Sequence, residues 1–428
     1  MKKLLAVALA ASMFIMPVFA GGSKEAPAKE GGKVTIKVAN YALLESGYED
    51  FWKGIKIGFE AENPNVEIEW ITAPYGEISN QVINMAGGGD KVDCIFGEIG
   101  WVPGLEDAGL AAPVADILPA EFLADFYPDV MSAFEINGKP YGVPLYISPY
   151  VLYYNKALFE EAGLDPNTPP TTYDEMLVAA KALSKLKDNN GNSVFAFGQT
   201  TASVPVSGSS IQAMIFNFGG HTLASDGTLD IDNQGFRDAI SMLQTLNEYK
   251  YNPQNAKLKD LRNLFALGQL AMYYDQSWGF NGIKSINPEA KNFTASAAPL
   301  KGGNGNGQSA LEAHCFILVD NGAARRDATS KFVQYVISEN GLSDYLANLT
   351  PAYPARKSMS SIEGVVNNPV LKGASGSVGN VTAPTAIPQL NEVNLELCSL
   401  AQAVTVGNEN VDSAIADFKK VTTVKLSD

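Results

Sequence analysis

The run Val34-Thr35-Ile36-Lys37-Val38-Ala39-Asn40-Tyr41 is followed by Asp50-Phe51-Trp52-Lys53-Gly54-Ile55-Lys56-Ile57-Gly58-Phe59-Glu60-Ala61-Glu62, then by Asn63-Pro64-Asn65-Val66-Glu67-Ile68-Glu69-Trp70. Val34, Ile36 and Val38 alternate with polar neighbours, the period of a strand. Trp52, Ile55 and Phe59 recur at three- and four-residue steps, the stripe of an amphipathic helix. Asn63-Pro64-Asn65 stops that helix, and Val66, Ile68 and Trp70 resume the alternation. A helix from about Ile78 to Met85, then Gly87-Gly88-Gly89 and the apolar Val92 to Phe96, repeat the cycle. Strands alternating with helices predict βαβ crossovers, hence a parallel sheet covered on both faces. Ligands of such open sheets sit beyond the carboxyl ends of the strands. That rule selects Tyr41, which ends the first strand, and the loop Gly97-Glu98-Ile99-Gly100-Trp101, with Tyr75 in the loop between them.

Working outward, a second region of the same kind begins after Gly138-Lys139-Pro140-Tyr141-Gly142-Val143-Pro144. Pro169-Pro170 introduces a helix with a capping box, in which Thr172 accepts from the N3 amide and Glu175 reaches back. Phe236, Ile240, Leu243 and Leu246 mark another helix over Phe236 to Tyr249. Ala310 to Val319 reads as one apolar strand, and Phe332, Val333, Val336 and Ile337 as the core stripe of a later helix. One contiguous core would be unusually large for 428 residues, so two α/β lobes are expected.

Acidic residues number 46 against 31 basic, a net charge of −15. Such a surface repels phosphate backbones and anionic lipid heads, so no nucleic-acid partner is expected. Three cysteines and two histidines make neither a disulfide framework nor a zinc cage, and no metal or cofactor is expected. Lys2 and Lys3 precede an apolar run that is broken by Pro17 and ends in Val18-Phe19-Ala20, the plan of a secretory signal peptide over residues 1–20. Residues 21–32 read as a flexible leader. Gly21 stands where an acylated cysteine would, so no lipid anchor is expected.

Several blocks carry a resemblance to a known family. They are Phe59 to Val66; Gly138 to Pro144, with Leu152-Tyr153-Tyr154-Asn155-Lys156-Ala157-Leu158-Phe159, Ala162-Gly163-Leu164 and Pro170 to Met176; Leu267-Gly268-Gln269-Leu270-Ala271-Met272, with Trp278; and Lys331-Phe332-Val333, with Thr350 to Arg356. In order and spacing the chain resembles the extracellular solute-binding proteins that feed ATP-binding-cassette (ABC) importers, in the sugar-binding, maltose-binding-protein-like branch. The resemblance implies a two-lobed clamp, each lobe a mostly parallel sheet flanked by helices, with three crossings between lobes. By analogy these fall near Pro144 to Ser148, Asn292 to Ala295 and Val319 to Gly322. The first lobe is then 33–145 plus 293–321, and the second 146–292 plus 322–428. It also implies a periplasmic monomer that is not an enzyme, with a carbohydrate ligand and the transmembrane subunits of an ABC permease as partners.

Sugars present apolar C–H faces and rings of hydroxyls, so a site needs aromatic plates together with carboxylates or amides. Trp278 matches the tryptophan that stacks on sugar in many relatives. Trp101, Tyr41 and Tyr150 are further plates, whereas Trp52 and Trp70 fall on core periodicities. Glu98 and Asp275 are the leading carboxylate acceptors, each with a surface ion pair or helix cap as the ordinary alternative. Glu45 and His314 complete the set, with Glu312 beside His314 and Ser207, Ser209 and Asn217 as polar lining. Maltodextrin-binding relatives carry an aromatic plate after a late Pro-Gln pair; here Pro388-Gln389 leads to Asn394, which implies a shorter or more polar solute. A glycerol phosphate ester, a polyamine and an exported glycoside-acting enzyme remain the alternatives.

Overall fold

The computed structural model describes residues 32–188 and 190–427. The expected signal peptide, and the leader apart from its last residue, lie outside the described residues. In chain order the elements that position the cleft begin with β1 (Val34–Asn40), α1 (Glu49–Glu62), β2 (Val66–Ile71), α2 (Ile78–Gly87), β3 (Cys94–Glu98), β4 (Gly142–Ile147) and β5 (Tyr150–Asn155). There follow α3 (Tyr173–Leu183), α4 (Pro205–Asn217), α5 (Gln234–Glu248), α6 (Leu258–Ala266), β6 (Met272–Gln276), α7 (Gly279–Ile286) and β7 (Thr294–Ala297). Last come β8 (Ala313–Leu318), α8 (Ala323–Val336), α9 (Leu390–Thr405) and α10 (Val411–Lys425).

The first sheet has six strands in the order β2-β1-β3-β8-β4, closed by the short strand Tyr353–Pro354. β1 pairs in parallel with both β2 and β3, as two successive βαβ units require. The alternation read in the sequence is the burial pattern of β2, with Val66 and Ile68 inside and Glu67 and Glu69 outside. Trp52, Ile55 and Phe59 are the buried stripe of α1, and Trp52 packs against Phe96 and Trp70. β8 enters antiparallel between β3 and β4. The second sheet has the order β6-β5-β7 and is antiparallel throughout, unlike the mostly parallel sheet expected there. An unbroken apolar run reports burial on both faces but not strand direction, and β5 and β6 pair antiparallel although helices connect them. Helices α3, α4, α5, α9 and α10 cover this sheet. At the start of α3, Thr172 caps the Glu175 amide at 3.1 Å, while Glu175 reaches back to the Thr171 amide at 2.7 Å.

The chain crosses between the sheets first at Ser148-Pro149, close to the expected place. The other two crossings lie elsewhere. β7 pairs with β5 from Leu152↔Ala297 to Asn155↔Thr294, so the segment from 293 to 310 belongs to the second lobe. The second crossing is Leu311-Glu312, between the short strand Ser309–Ala310 and β8. α8 packs on the first core, with the Phe332 ring 5.5 Å from Phe59 and 5.8 Å from Phe316, so residues beyond 322 remain in the first lobe. The third crossing lies between Val366 and Leu390. There Leu371 joins the first core, while Val370 packs with Val151 and Phe265 of the second lobe. Both expected positions rest on analogy, and the run Ala310 to Val319 has no period by which to detect the two-residue passage of the second crossing.

Phe332→Ala deletes a ring with no solvent exposure from the contact between α1, α8 and β8. It should cost about 3 to 5 kcal/mol of stability, read as a lowered urea midpoint at unchanged slope.

Candidate functional site

β1 ends where Asn40 Oδ1 accepts from the Ala42 amide at 2.9 Å, starting a single turn that aims Tyr41 inward. β3 ends at Glu98, and the next turn folds Trp101 back over the strand. A Cβ on Gly97 would stand 2.6 Å from Trp101 Cε3, so only glycine lets the indole lie there. The rings of Tyr41, Tyr75 and Trp101 then form one cluster, with centroids 5.1 to 5.8 Å apart. Strand register sets His314 directly opposite Glu98. His314 Nε2 lies 3.1 Å from Glu98 Oε1 and 3.3 Å from the Tyr41 hydroxyl, while Nδ1 bonds the Tyr146 hydroxyl. The second Glu98 oxygen accepts from the Tyr75 hydroxyl at 2.7 Å.

From the other lobe, β6 ends at Gln276. Ser277 Oγ meets Ser148 Oγ at 2.7 Å across the first crossing. This places Trp278 so that its ring stacks on His314, centroids 5.0 Å apart and planes 25° from parallel. Gln276 Nε2 donates to the Tyr150 hydroxyl at 3.1 Å, and its Oε1 is buried with no partner. Tyr153 donates to the Ser277 carbonyl at 2.8 Å and fixes the turn.

Of these groups Tyr75, Glu98, Trp101, Gln276 and Trp278 line a cleft of about 600 Å3 between the two sheets. Its far wall is the start of α4, with Val206 and Ser209, and the start of α9, with Leu390, Asn391 and Asn394. The two helices touch at Gly208, where a Cβ would stand 2.2 Å from the Asn394 carbonyl oxygen. Asn394 accepts from Gln212 Nε2 at 2.8 Å, which holds its amide at the cleft wall. Glu312, in the second crossing, also lines the cleft. Burial, and then the Glu98 carboxylate, push its carboxyl up to about 8.

Of the residues expected in the site, Trp278, Trp101 and Glu98 line the cleft. Tyr41 and His314 lie directly beneath them, and Tyr150 is one layer behind, buried and holding Gln276. Asp275 is not in the cleft. Side chains alternate along a strand, so with Gln276 facing the cleft Asp275 points the other way, 0% exposed. There its oxygens accept from Arg262 at 2.6 and 2.8 Å and from Tyr273 at 3.1 Å. Glu45 is exposed beyond the turn that ends at Leu44 and does not line the cleft, because that turn carries the chain outward. Ser209 lines the cleft, whereas Ser207 and Asn217 are buried away from it. Gln276 was missed, although it ends the strand that leads to Trp278 and lies two residues before it. Tyr75 and Glu312 stood at the margin of the reading.

The model of the family described as bacterial extracellular solute-binding protein matches residues 58–373. The chain belongs to this family. A binding protein of Brucella abortus (strain 2308) is 22% identical over 395 residues, covering 92% of this chain and 93% of its own length. A maltodextrin-binding protein of Bacillus subtilis (strain 168) is 25% identical over 301 residues, covering 68% of this chain and 66% of its own. The solved structure of the cyclic α-maltosyl-1,6-maltose binding protein of Arthrobacter globiformis superposes with a TM-score of 0.81 at 21% identity, covering 92% of this chain and 99% of that one. That likeness shows the fold. Family members are binding proteins, and no helix among the described residues is long and apolar enough to cross a membrane.

Two outcomes separate the structural acid from the cleft acid. Arg262→Ala leaves Asp275 charged, buried and unpaired, and should cost about 3 to 5 kcal/mol of stability by chemical unfolding. Glu312 has a folded-state pKa of about 8, above the ordinary 4.5, so the folded protein holds the extra proton between those values. Stability from this group is therefore full below about pH 4.5 and is lost as pH rises through 8. The melting temperature of the wild-type protein should fall across this window, and Glu312→Gln should flatten that part of the profile.

Proposed function

We propose that the protein is the extracytoplasmic binding component of an ABC importer, which captures a carbohydrate in the inter-lobe cleft by hinge closure and delivers it to the membrane permease. One observation carries this reading. The aromatic faces of Trp278, Trp101 and Tyr75 share a single cleft with the polar groups of Glu98, Glu312, Gln276 and Asn394. Flat rings desolvate the C–H faces of a sugar, while carboxylate and amide oxygens accept from its hydroxyls. At about 600 Å3 the cleft falls within the usual range of small-molecule sites. The ligands named for the Bacillus and Arthrobacter relatives, a maltodextrin and a cyclic maltosyl-maltose, support the same class.

A glycerol phosphate ester calls for a cation at its phosphate, and among the described residues no lysine or arginine lines the cleft. Hydrolysis of a glycoside calls for an acid and a base on opposite sides of the scissile bond. Glu98 ends β3 and Glu312 just precedes the neighbouring β8, so both stand on one wall and the solute leaves unchanged. One chain supplies every lining group, and the working unit is a monomer. Closure draws the α4–α9 wall toward Glu98, with the rotation absorbed at the crossings Ser148-Pro149 and Leu311-Glu312.

A thermal-shift screen against neutral sugars, polyols and polyamines should give its upward shifts with sugars, since a ligand selective for the folded state raises the melting point. Trp278→Ala should weaken the best sugar by about 1 to 3 kcal/mol, a roughly ten- to hundredfold loss by calorimetry. Unchanged affinity removes Trp278 from the site, and turnover of the sugar refutes the binding-only function.

A further inference from the structure

The two acid groups of the cleft are unlike. Glu98 has both oxygens engaged, one by Tyr75 and one by His314. Glu312 lines the same cleft, and no hydrogen bond or ion pair to its carboxyl contributes to its charge state. The titratable groups that bear on it are Glu98 at the end of β3, Tyr75 from the loop before α2, and Tyr150 on β5. His314, two residues along the chain, is committed to Glu98 and Tyr146. An ionised Glu312 would thus face the Glu98 carboxylate and phenols, and no lysine or arginine lines the cleft among the described residues. A second group independently asks for a donor. Gln276 is 5% exposed and lines the cleft, yet its Oε1 has no partner. Buried acceptors left in this state are uncommon, because nothing compensates the water they have lost.

A sugar hydroxyl can hydrogen-bond to Glu312, but it brings no charge that would favour the ionised carboxyl beside Glu98. An ammonium group brings several donors and the missing charge together, and the faces of Trp278, Trp101 and Tyr75 favour a cation as well. We propose that the solute carries a protonated amine beside its hydroxyls, as an amino sugar does, seated against Glu312 and within reach of Gln276 Oε1. This rests on the carbohydrate reading and narrows it. It also makes capture a proton exchange. Burial and Glu98 hold the Glu312 carboxyl at about 8, so in the empty cleft it is protonated at neutral pH. When the ammonium docks, the carboxyl O–H breaks, the proton passes to a buffer base, and a carboxylate–ammonium pair remains. A neutral sugar releases no proton.

The test is titration calorimetry on the full chain near pH 6.5, where a sugar amine, like a peptide α-amino group, is about fully protonated. The probes are hexoses and short oligosaccharides, each in neutral, 2-amino and uronic acid form, with spermidine alongside, in two buffers of different ionisation enthalpy. The 2-amino form should bind about tenfold or more tighter than its neutral counterpart, with the uronate weakest. Its heat should change with buffer by an amount approaching one proton released per solute. In Glu312→Gln the buffer dependence should vanish and the amine preference should fall to near parity. A neutral form that binds as tightly as the amine, or a wild-type heat that ignores the buffer, overturns the amine and leaves the carbohydrate function standing. Binding of no sugar in any form overturns both, and tight binding of spermidine alone does the same. The comparison among solutes on the wild-type chain decides the matter even where the variant fails to fold.

Discussion

The stack of Trp278 on His314 joins the residue that follows the second sheet to one inside the first. His314 can receive that indole only because three other groups fix its plane: Tyr146 at one ring nitrogen, Glu98 and Tyr41 at the other. Each partner arrives from a different strand, β4, β3 and the end of β1, so the register of the first sheet is what orients the imidazole. The imidazole in turn orients the indole, and the indole forms one wall of the cleft. A slip of one residue in β8 would turn His314 to the other face of the sheet and remove the platform.

The first lobe was legible because its elements are strongly periodic. Alternation in β1 and β2, and the stripe of α1, each show one face buried and one wet, which a sequence records directly. The second crossing was not, since Leu311-Glu312 lies within a strand-like run and interrupts no period. Asp275 and Gln276 show the same limit at finer scale. Both end a buried strand, and only the pairing of β6 with β5 decides which of two adjacent polar residues faces the cleft and which faces Arg262. Asn394 lines the cleft because α9 starts just after Pro388-Gln389 and packs on α4.

The two walls are packed differently. The α4–α9 wall is closed at Gly208, where the helices approach too closely for any side chain, and is tied by the Gln212–Asn394 hydrogen bond. Dense contacts of that kind move as one body. The opposite wall depends on Gly97, which lets Trp101 lie on the strand, and on the short turn that follows. Rotation between lobes therefore concentrates in the crossings rather than bending either wall.

Glu312 belongs to one of those crossings. Its backbone carbonyl accepts from the Ser148 amide at 2.7 Å, so the first and second crossings are hydrogen-bonded to each other at the point where its side chain enters the cleft. A group so placed responds to lobe rotation and to solute in the same way. Under the proposed reading Glu312 is neutral while the cleft is empty and ionises when an ammonium docks. This adds a charge pair at the point where the two crossings meet, so selectivity and closure depend on the same residue.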